Sequence, residues 1–487
     1  MASKGLKQKA VSGMFWSFSD SMATQIIQFV VGLVLARLLT PEEFGLVGMI
    51  TVFIAVTQTF VDSGFGQALI RKKEVSEIDY STVFYFNLFS GVIFFLILFF
   101  CSPAIARFYN EPRLIDITRV LGVLILVYAT SITRRTSLIR EVSFKQLMKV
   151  NFAAALVSGV IAIILALKGF GVWSLVWRSL TGSIVQSIML WFSGSWFPKP
   201  VFCKESLRGL FPFGSKLLVS GLLDTVYKNI YLLVIGKFFS AVDLGYYTRA
   251  ELFSRLASQN LTGTVQRVSY PVLSQVQDED ERLKKGYKKL VLSTMFISFF
   301  IILGMSAFAE AMIVTLIGEK WLPSVKYLQL LCFSVMLFPL YAMNLNILNV
   351  KGRSGLLLRL ELTNKLLVIP VIIIGVLTSI KTLLIGMIIH SFVTYYITGH
   401  FAGRLINYSV REQVSDLLPT FLLAIFVSVV VFSLSVIPGI SYLPMFVMQL
   451  LLLVLLTVLT GCIFKLEGYY EIKSIIVQKF PKLSRIL

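Results

Sequence analysis

Charge is scarce in this chain, and negative charge is scarcer than positive charge. Only 14% of the residues are charged, and 45 Lys and Arg stand against 25 Asp and Glu. Soluble domains use about a quarter of their residues as charges, so a water-facing surface of ordinary composition is excluded. In its place, 56% of the residues are hydrophobic, 40 are Phe, and the mean hydropathy is +0.83. This composition predicts an all-α polytopic membrane protein.

Histidine and cysteine are nearly absent, which limits metal and redox chemistry. The two histidines, His390 and His400, share one hydrophobic segment, and the four cysteines stand far apart without Cys-x-x-Cys or Cys/His spacing. Isolated cysteines of this kind are predicted to be small apolar residues and not metal ligands. The sequence therefore predicts no metal site and no bound cofactor.

Catalytic and nucleotide-binding motifs are missing as well. The chain has no GxxxxGK[ST], HExxH or GxSxG pattern, so neither a P-loop ATPase nor a common hydrolase site is predicted. A glycan-transferring enzyme would need an acidic pair on a sizeable outside loop. Glu42 and Glu43 instead follow Pro41 in a short connection, where they are predicted to start a helix. We predict that the protein is not an enzyme.

Apolar windows of about 20 residues, the length of a membrane-spanning helix, recur along the whole chain. They predict about fourteen spans, near residues 14–36, 44–62, 81–105, 115–133, 147–167, 171–193, 211–236, 244–266, 290–317, 325–349, 360–380, 382–403, 416–437 and 442–464. The eighth span is the most polar, and it is kept because an internal repeat aligns it with the apolar second span. The basic N-terminus lacks a cleavage site and is predicted to stay as part of the first helix.

Basic residues indicate on which side of the membrane each loop lies. With both termini cytoplasmic, most of the 45 Lys and Arg fall in cytoplasmic connections, such as 71–73, 134–149 and 267–289. This is the positive-inside bias of polytopic proteins. Topology thus explains the net charge of +20, and no nucleic-acid partner is predicted. The stretch 275–289 is predicted to be a cytoplasmic helical connector, and the basic tail after residue 464 to lie on the inner leaflet.

One segment near the first helix returns 200 positions later. LARLLTPEEFG at 35–45 matches IGKFFSAVDLG at 235–245 in residue type, with a base, a hydroxyl, an acid and a glycine at equal spacing. Six predicted spans separate the copies, so both enter the membrane in the same direction. Arg37 and Lys237 are then equivalent outside-facing bases, predicted to be anchors or gate residues.

The duplication extends further along the chain. Residues 128–151 align without gaps on residues 341–364, and Asn151 is matched with Asn364. These matches predict two parallel six-helix repeats plus two C-terminal helices. The predicted domains are a six-helix lobe at 1–200, a second six-helix lobe at 201–405, and two extra transmembrane helices with a basic cytoplasmic tail at 406–487.

Ionisable residues inside the predicted spans are few. Each costs about 2.5–3.5 kcal/mol on insertion scales, so it normally faces a cavity or a partner. They are Asp20, Asp62, Arg178, Asp224, Lys228, Arg249, Glu251, Arg255, Glu361 and His390. Half of them lie in the seventh and eighth spans. There, Asp224 with Lys228 and Glu251 with Arg255 are four residues apart, so two intrahelical ion pairs are one interpretation.

The functional interpretation is a hydrated lumen lined by these charges. Its predicted ligands for an anionic group are Arg249, Lys228, Arg255 and Arg178. Its predicted ion-coupling or ion-pairing acids are Asp20, Asp62, Asp224 and Glu251. Arg249 has no acid three or four positions away and is the leading candidate for the anion, whereas Arg178 has nearby tryptophans and could be an interfacial anchor. Asp20 is the leading candidate for exchanging H⁺ or Na⁺.

Six motifs, in order along the chain, resemble one family of membrane proteins. They are Arg37 with Pro41-x-x-Phe44-Gly45, Arg140-x-x-x-Phe144, Gly169-Phe170-Gly171-Val172-Trp173, Ile235-Gly236-Lys237 with Leu244-Gly245-Tyr246-Tyr247-x-x-Ala250, Tyr270-Pro271-Val272-Leu273-Ser274, and Gly318-x-x-Trp321. Together they resemble the polysaccharide-exporter branch of the multidrug/oligosaccharidyl-lipid/polysaccharide exporter superfamily, above all its Wzx-type and colanic-acid-exporter flippases. No site residue carries over, because these flippases share no catalytic signature.

The resemblance implies a bacterial inner-membrane protein that works by alternating access of two lobes. Its expected substrate is an undecaprenyl-pyrophosphate-linked oligosaccharide, moved to the periplasmic leaflet for O-antigen, capsule or exopolysaccharide synthesis. Membrane lipids, a polysaccharide polymerase and glycosyltransferases are the expected partners. A cation-coupled drug or solute antiporter of the same superfamily is the alternative, and it would need no basic lumen. A membrane glycan polymerase or ligase fits less well, because the outside connections are short.

Overall fold

Helices make up nearly all of the chain, as its long apolar runs require. A membrane interior offers no water to backbone N–H and C=O groups, so each run must satisfy them within itself. The computed structural model describes residues 2–193 and 196–479, and no strand occurs in those ranges. The helices are α1 (Ala2–Leu38), α2 (Pro41–Asp62), α3 (Phe65–Arg71), α4 (Glu77–Tyr109), α5 (Leu114–Arg140), α6 (Phe144–Leu167), α7 (Val172–Phe192), α8 (Lys204–Phe238), α9 (Ala241–Ser274), α10 (Asp280–Ala307), α11 (Ala309–Ile317), α12 (Pro323–Val335), α13 (Phe338–Val350), α14 (Ser354–Thr378), α15 (Ile380–Leu405), α16 (Val410–Ser433), α17 (Tyr442–Ile463) and α18 (Glu467–Lys479).

Every predicted span falls on one or two of these helices. Among the described residues, twelve helical segments are long and apolar enough to cross a membrane. The prediction of an all-α polytopic membrane protein is therefore confirmed. The helices α7 and α9 lie outside that set, so the count of fourteen spans and the two six-helix repeats stay predictions.

Two predicted spans are interrupted in the structure. The span at 290–317 divides into α10 and α11 at Phe308, and the span at 325–349 divides into α12 and α13 before Pro339. Proline has no N–H to donate and is favoured in the first turn of a helix, which accounts for the second break. No proline or glycine marks the first break, so hydropathy alone could not have located it.

A proline within α4 leaves one backbone carbonyl without its usual N–H donor, and a side chain supplies a donor in its place. Pro103 cannot donate to the carbonyl of Phe99 four residues earlier. The hydroxyl of Ser102 donates to that carbonyl oxygen at 2.7 Å, and Nε of Arg119 in α5 donates to the Ser102 hydroxyl at 3.1 Å. The break in the helix ladder therefore leaves no orphaned acceptor at Phe99, as a membrane interior demands.

The chain forms two compact units, residues 1–245 and 246–487. In the first, α1 packs on α6, α4 on α5 and α6 on α7. Small residues permit these close approaches, because a side chain on Gly91 would lie 2.6 Å from Cβ of Ala129, and one on Gly159 would lie 2.5 Å from Val31. The helix α8 packs on α2 and α4 in this unit. The predicted lobe boundary at 200/201 stays a prediction.

In the second unit, α14 packs on α15, and α10 packs on α16 and α18. The residues predicted as a cytoplasmic connector are largely the first turns of α10. Three lysines of these turns pair with acids of α16 and α18. The pairs are Lys284–Glu412 at 3.0 Å, Lys288–Asp416 at 2.8 Å and Lys289–Glu471 at 2.6 Å. The tail helix α18 is thus held against α10, while residues 480–487 of the predicted tail lie outside the described residues.

Membrane orientation can be tested on the segment Pro41–Arg71, which is one of the twelve candidate spans. Single cysteines replacing Glu42 and Lys72, in a protein without its native cysteines, are expected to react with an impermeant maleimide from opposite sides of the membrane. The cysteine at position 42 should react in intact cells, and the cysteine at position 72 only after permeabilisation. Labelling of both from the same side would overturn the predicted orientation.

Candidate functional site

The two copies of the repeated segment form the same helix start. Thr40 caps α2: its hydroxyl accepts from the Glu43 backbone N–H at 3.4 Å, and the Glu43 carboxylate accepts from the Thr40 N–H at 2.7 Å. Ser240 accepts from the Asp243 N–H at 3.0 Å in the second copy. These are capping interactions that satisfy otherwise unpaired helix donors. The predicted helix-start role of the acids after Pro41 is confirmed.

The two repeated turns also contact each other through their glycines. A side-chain carbon on Gly45 would lie 1.7 Å from the carbonyl oxygen of Ala241, and one on Gly245 would lie 1.9 Å from that of Pro41. Both distances are far shorter than any van der Waals contact, so only glycine fits at either position. The start of each helix thus packs directly on the backbone of the other copy, in a reciprocal arrangement that we call the paired turns (40–45 and 240–245).

Further contacts fix the surroundings of the paired turns. The Tyr109 hydroxyl donates to the carbonyl of Met49 at 3.2 Å, and Lys237 lies over the Phe108 ring at 4.7 Å while donating to the Phe108 carbonyl. Arg113 forms an ion pair with Glu42. Its side chain also bonds Glu111 at 2.7 Å, which holds the pKa of that carboxyl below its ordinary value.

A second polar arrangement, the Asp20 cluster (Asp20, Thr24, Asn151 and Gln186), joins α1, α6 and α7. Asn151 Nδ2 donates to one carboxylate oxygen of Asp20 at 2.8 Å, and the Thr24 hydroxyl donates to the other at 3.2 Å. Gln186 Nε2 in turn donates to Asn151 Oδ1 at 2.8 Å. The sequence repeat matches Asn151 with Asn364. The repeat could therefore have indicated Asn151 as a site residue, whereas hydropathy could not.

The two donors that the described residues supply to the Asp20 carboxylate, Asn151 and Thr24, are neutral. Among the ion pairs of the described residues, none involves Asp20. A half-buried carboxylate is costly inside a membrane span unless its charge is compensated. The 200-residue offset places Ser220 opposite Asp20, so the second copy of the repeat carries no carboxylate at this position.

Asp62, the other acid predicted in the first two spans, belongs to a separate cluster. It ends α2 and accepts from the Gly66 backbone N–H, with Arg135 and Tyr128 of α5 close enough to interact electrostatically. Ser63 and Gly64, with φ of 47° and 69°, turn the chain there into α3. An opposite charge beside Asp62 favours a structural role for this acid.

The predicted cationic residues differ in their surroundings. Lys228 of α8 has an exposed side chain and forms no ion pair within the part of the chain that the structure describes. Arg178 Nη2 lies 3.5 Å from the carbonyl oxygen of Gln28 in α1. Next to Asp224, the Thr225 and Thr59 hydroxyls are 3.0 Å apart and join α8 to α2.

The helix α9 carries the remaining charged candidates in the second unit. Arg255 Nη2 lies 2.8 Å from a carboxylate oxygen of Glu251, which also accepts from the Tyr247 hydroxyl at 3.0 Å. The predicted Glu251–Arg255 ion pair is therefore formed. Arg249 lies on the same helix with a half-buried side chain.

Twelve helical segments that are apolar enough to cross a membrane, with a carboxylate inside one and an exposed base inside another, are typical of an integral membrane transporter. The fold of this chain is that of a solved lipid II flippase, MurJ in an inward closed conformation. The match has a TM-score of 0.73 and 13% sequence identity, and it covers 92% of this chain and 98% of that chain.

The family follows from the sequence match. The family model described as polysaccharide biosynthesis protein matches residues 34–326, which is more than half of the chain, and the chain belongs to that family. It is 27% identical to the teichuronic acid biosynthesis protein TuaB of Bacillus subtilis (strain 168), covering 72% of this chain and 73% of that protein. It is 26% identical to the lipopolysaccharide biosynthesis protein WzxC of Escherichia coli (strain K12), covering 76% of each. The resemblance read from the motifs is confirmed.

Proposed function

We propose that the protein is a flippase that moves undecaprenyl-pyrophosphate-linked oligosaccharides across the bacterial inner membrane by alternating access. The proposal rests on the exposed side chain of Lys228, which forms no ion pair among the described residues. An exposed base without an ion pair, in a helix that is otherwise apolar enough to span the membrane, is stable only where it meets water or an anion. The diphosphate that links a glycan to its polyprenol carries such a negative charge.

Two further features support this substrate. Arg249 of α9 and Arg178 of α7 add positive charge within predicted spans, whereas a neutral solute would need none. Arg255 is paired with Glu251 and adds no net charge. The relatives named above serve teichuronic acid and lipopolysaccharide biosynthesis, so a glycan intermediate fits their names better than a drug does. The alternative, a drug or solute antiporter on the same fold, is less supported for that reason. The prediction of a transporter and not an enzyme agrees with the same relatives.

Coupling to an ion gradient forms the second part of the proposal. Asp20 would bind H⁺ or Na⁺, because the two donors that hold its carboxylate among the described residues, Thr24 and Asn151, are neutral and do not compensate its charge. Protonation or cation binding would remove that charge and change the balance of hydrogen bonds among α1, α6 and α7. The ion would then bind with different affinity to two conformations of the protein, which is what coupling requires.

Location and partners belong to the same proposal. The bias of Lys and Arg toward connections such as 71–73, 134–149 and 267–289 supports cytoplasmic N- and C-termini in the inner membrane. Glycosyltransferases would supply the lipid-linked oligosaccharide on the cytoplasmic side, and a polysaccharide polymerase would use it on the other side. Membrane lipids would surround the polyprenyl chain throughout the transfer.

Replacing Lys228 or Arg249 by Ala is expected to lower glycan export at least about tenfold, the loss of roughly one charge-assisted contact. The measurement is the amount of surface polysaccharide and of lipid-linked oligosaccharide retained on the cytoplasmic leaflet, with membrane insertion checked by immunoblot. Lys168→Ala is the matched control, since Lys168 is exposed in the short connection after α6 and should tolerate the change. Full export in both test variants would reject a basic binding site.

A further inference from the structure

Three buried polar side chains border a small space inside the second unit, among α13, α15 and α16, which we call the pocket at Gly399. Its walls are the side chains of Asn344, Tyr395 and Gln413, which are 0%, 7% and 0% exposed. Three of their polar atoms, Asn344 Nδ2, Tyr395 Oη and Gln413 Oε1, are buried without a hydrogen-bond partner. Buried polar atoms of this kind are uncommon in folded proteins and generally bond to ordered water when no side chain reaches them.

Gly399 provides the room for this pocket. The position that a side-chain carbon on Gly399 would take lies 3.5 Å from both Asn344 Nδ2 and Gln413 Oε1, and 3.4 Å from the Tyr395 ring. The unpartnered atoms of the two amides therefore border one small space, which is kept open because residue 399 has no side chain. One water needs two to four polar partners and the volume of about one water-sized sphere.

The remaining hydrogen bonds fix the direction of both amides. Gln413 Nε2 donates to the carbonyl oxygen of Tyr408 at 3.0 Å, so its Oε1 must be the atom that faces the pocket. The Tyr287 hydroxyl donates to Asn344 Oδ1 at 2.6 Å, so Nδ2 of Asn344 faces the pocket. The pocket thus presents one amide donor and one amide acceptor beside the ring of Tyr395, whose hydroxyl is also buried without a partner.

This set of groups selects the ligand. A water molecule can accept from Asn344 Nδ2, donate to Gln413 Oε1 and form a third bond with the Tyr395 hydroxyl. A cation would be repelled by the Asn344 N–H groups, and an anion would meet the Gln413 oxygen. We propose that the pocket at Gly399 is an internal site for a single water molecule, which bridges α13 and α15 to α16.

The bridge adds a buried link to the ionic contacts that hold α16 against α10. The Tyr408 hydroxyl donates to Asp416 at 2.7 Å, and Lys288 pairs with the same carboxylate. The water would extend this network from the surface ion pair into the core of the second unit. The first helix of the predicted C-terminal appendage would then be fixed by polar contacts as well as by apolar packing.

Gly399→Ala tests the site directly. The added methyl group would make ordinary van der Waals contacts at 3.4–3.5 Å, so it fits, but it removes the space and leaves the amides unsatisfied. We expect the Tm of the purified protein to fall by about 2–4 °C. The control is Gly263→Ala in α9, which meets nothing within 4 Å, and should keep or raise the Tm, as alanine usually does within a helix.

A double-mutant cycle of Gly399→Ala and Gln413→Met tests whether the two residues act through one shared water or affect stability independently. Gln413→Met removes the bond to the Tyr408 carbonyl in either background. It should therefore lower the Tm in both, but by less in Gly399→Ala, where the shared water is already gone. Additive Tm shifts, or an unchanged Tm in Gly399→Ala, would overturn the proposal. So would a wild-type Tm that rises when Na⁺ replaces K⁺ at constant ionic strength and fails to rise in Gly399→Ala, which would identify a cation site.

Discussion

A single methyl group at Gly45 is expected to abolish glycan export. Alanine there would bring Cβ to within 1.7 Å of the Ala241 carbonyl oxygen, and a normal contact needs roughly twice that separation. The paired turns would have to move apart, and the buried packing of Met49 and Tyr109 behind them would be lost. Gly245→Ala should act in the same way, because its contact with Pro41 is the mirror of the first.

The measurement is export of polysaccharide together with the distance between spin labels placed one on each turn. Both glycine variants should show longer label distances and strongly reduced export, with the protein still inserted. Gly209→Ala in α8 is the matched control, since no atom lies within 4 Å of an added carbon there. Wild-type distances and export in Gly45→Ala would mean that the backbone contact has no part in the transport cycle.

Asp20→Asn is expected to uncouple transport from the ion gradient. The amide is nearly the same size as the carboxylate. Its oxygen can accept from Asn151 Nδ2, and its NH2 group can donate to the Thr24 hydroxyl, so the Asp20 cluster should remain folded. It carries no charge, however, and cannot exchange a proton or hold a cation. Net transport of lipid-linked oligosaccharide into the outer leaflet of vesicles should no longer respond to an imposed H⁺ or Na⁺ gradient.

The control for this variant is a carboxylate-to-amide change outside the cluster. Glu77→Gln suits that purpose, because Glu77 and its partner Lys199 are both more than half exposed, and exposed ion pairs contribute little. Asn151→Ala should give a partial loss of gradient response, since Asp20 would lose one of its two donors. Undiminished gradient dependence in Asp20→Asn would exclude this carboxylate as the coupling group.

The fold was largely predictable from the sequence, because apolar runs of membrane-spanning length leave few alternatives to helices. The polar helix α9 was predicted only through its alignment with α2. The break at Phe308 was not predictable, since it carries neither a breaking residue nor a change in hydropathy. Tertiary packing decides such positions.

The candidate site was predictable in part. Asp20 stood out because a charge within an apolar run is rare, and the Glu251–Arg255 pair followed from helical spacing. Asn151 and Gln186 were not assigned to the site, because neutral amides are tolerated in spans and give no comparable signal. The reciprocal contact of Gly45 and Gly245 was equally hidden: the sequence shows that both glycines recur, but only the folded chain shows what each one touches.

Under the proposed coupling, the presence of Asp20 in one copy of the repeat and Ser220 in the other limits the energy that an ion can add to transport. One coupling carboxylate would carry one monovalent cation for each substrate moved. At a membrane potential of 100 mV, one elementary charge supplies about 2.3 kcal/mol, which is equivalent to a concentration ratio of roughly 50 between the two leaflets. The negative diphosphate of the proposed substrate would move in the same field. An ion concentration gradient, or the enzymes that consume the oligosaccharide after it arrives, would change the excess in the outer leaflet further.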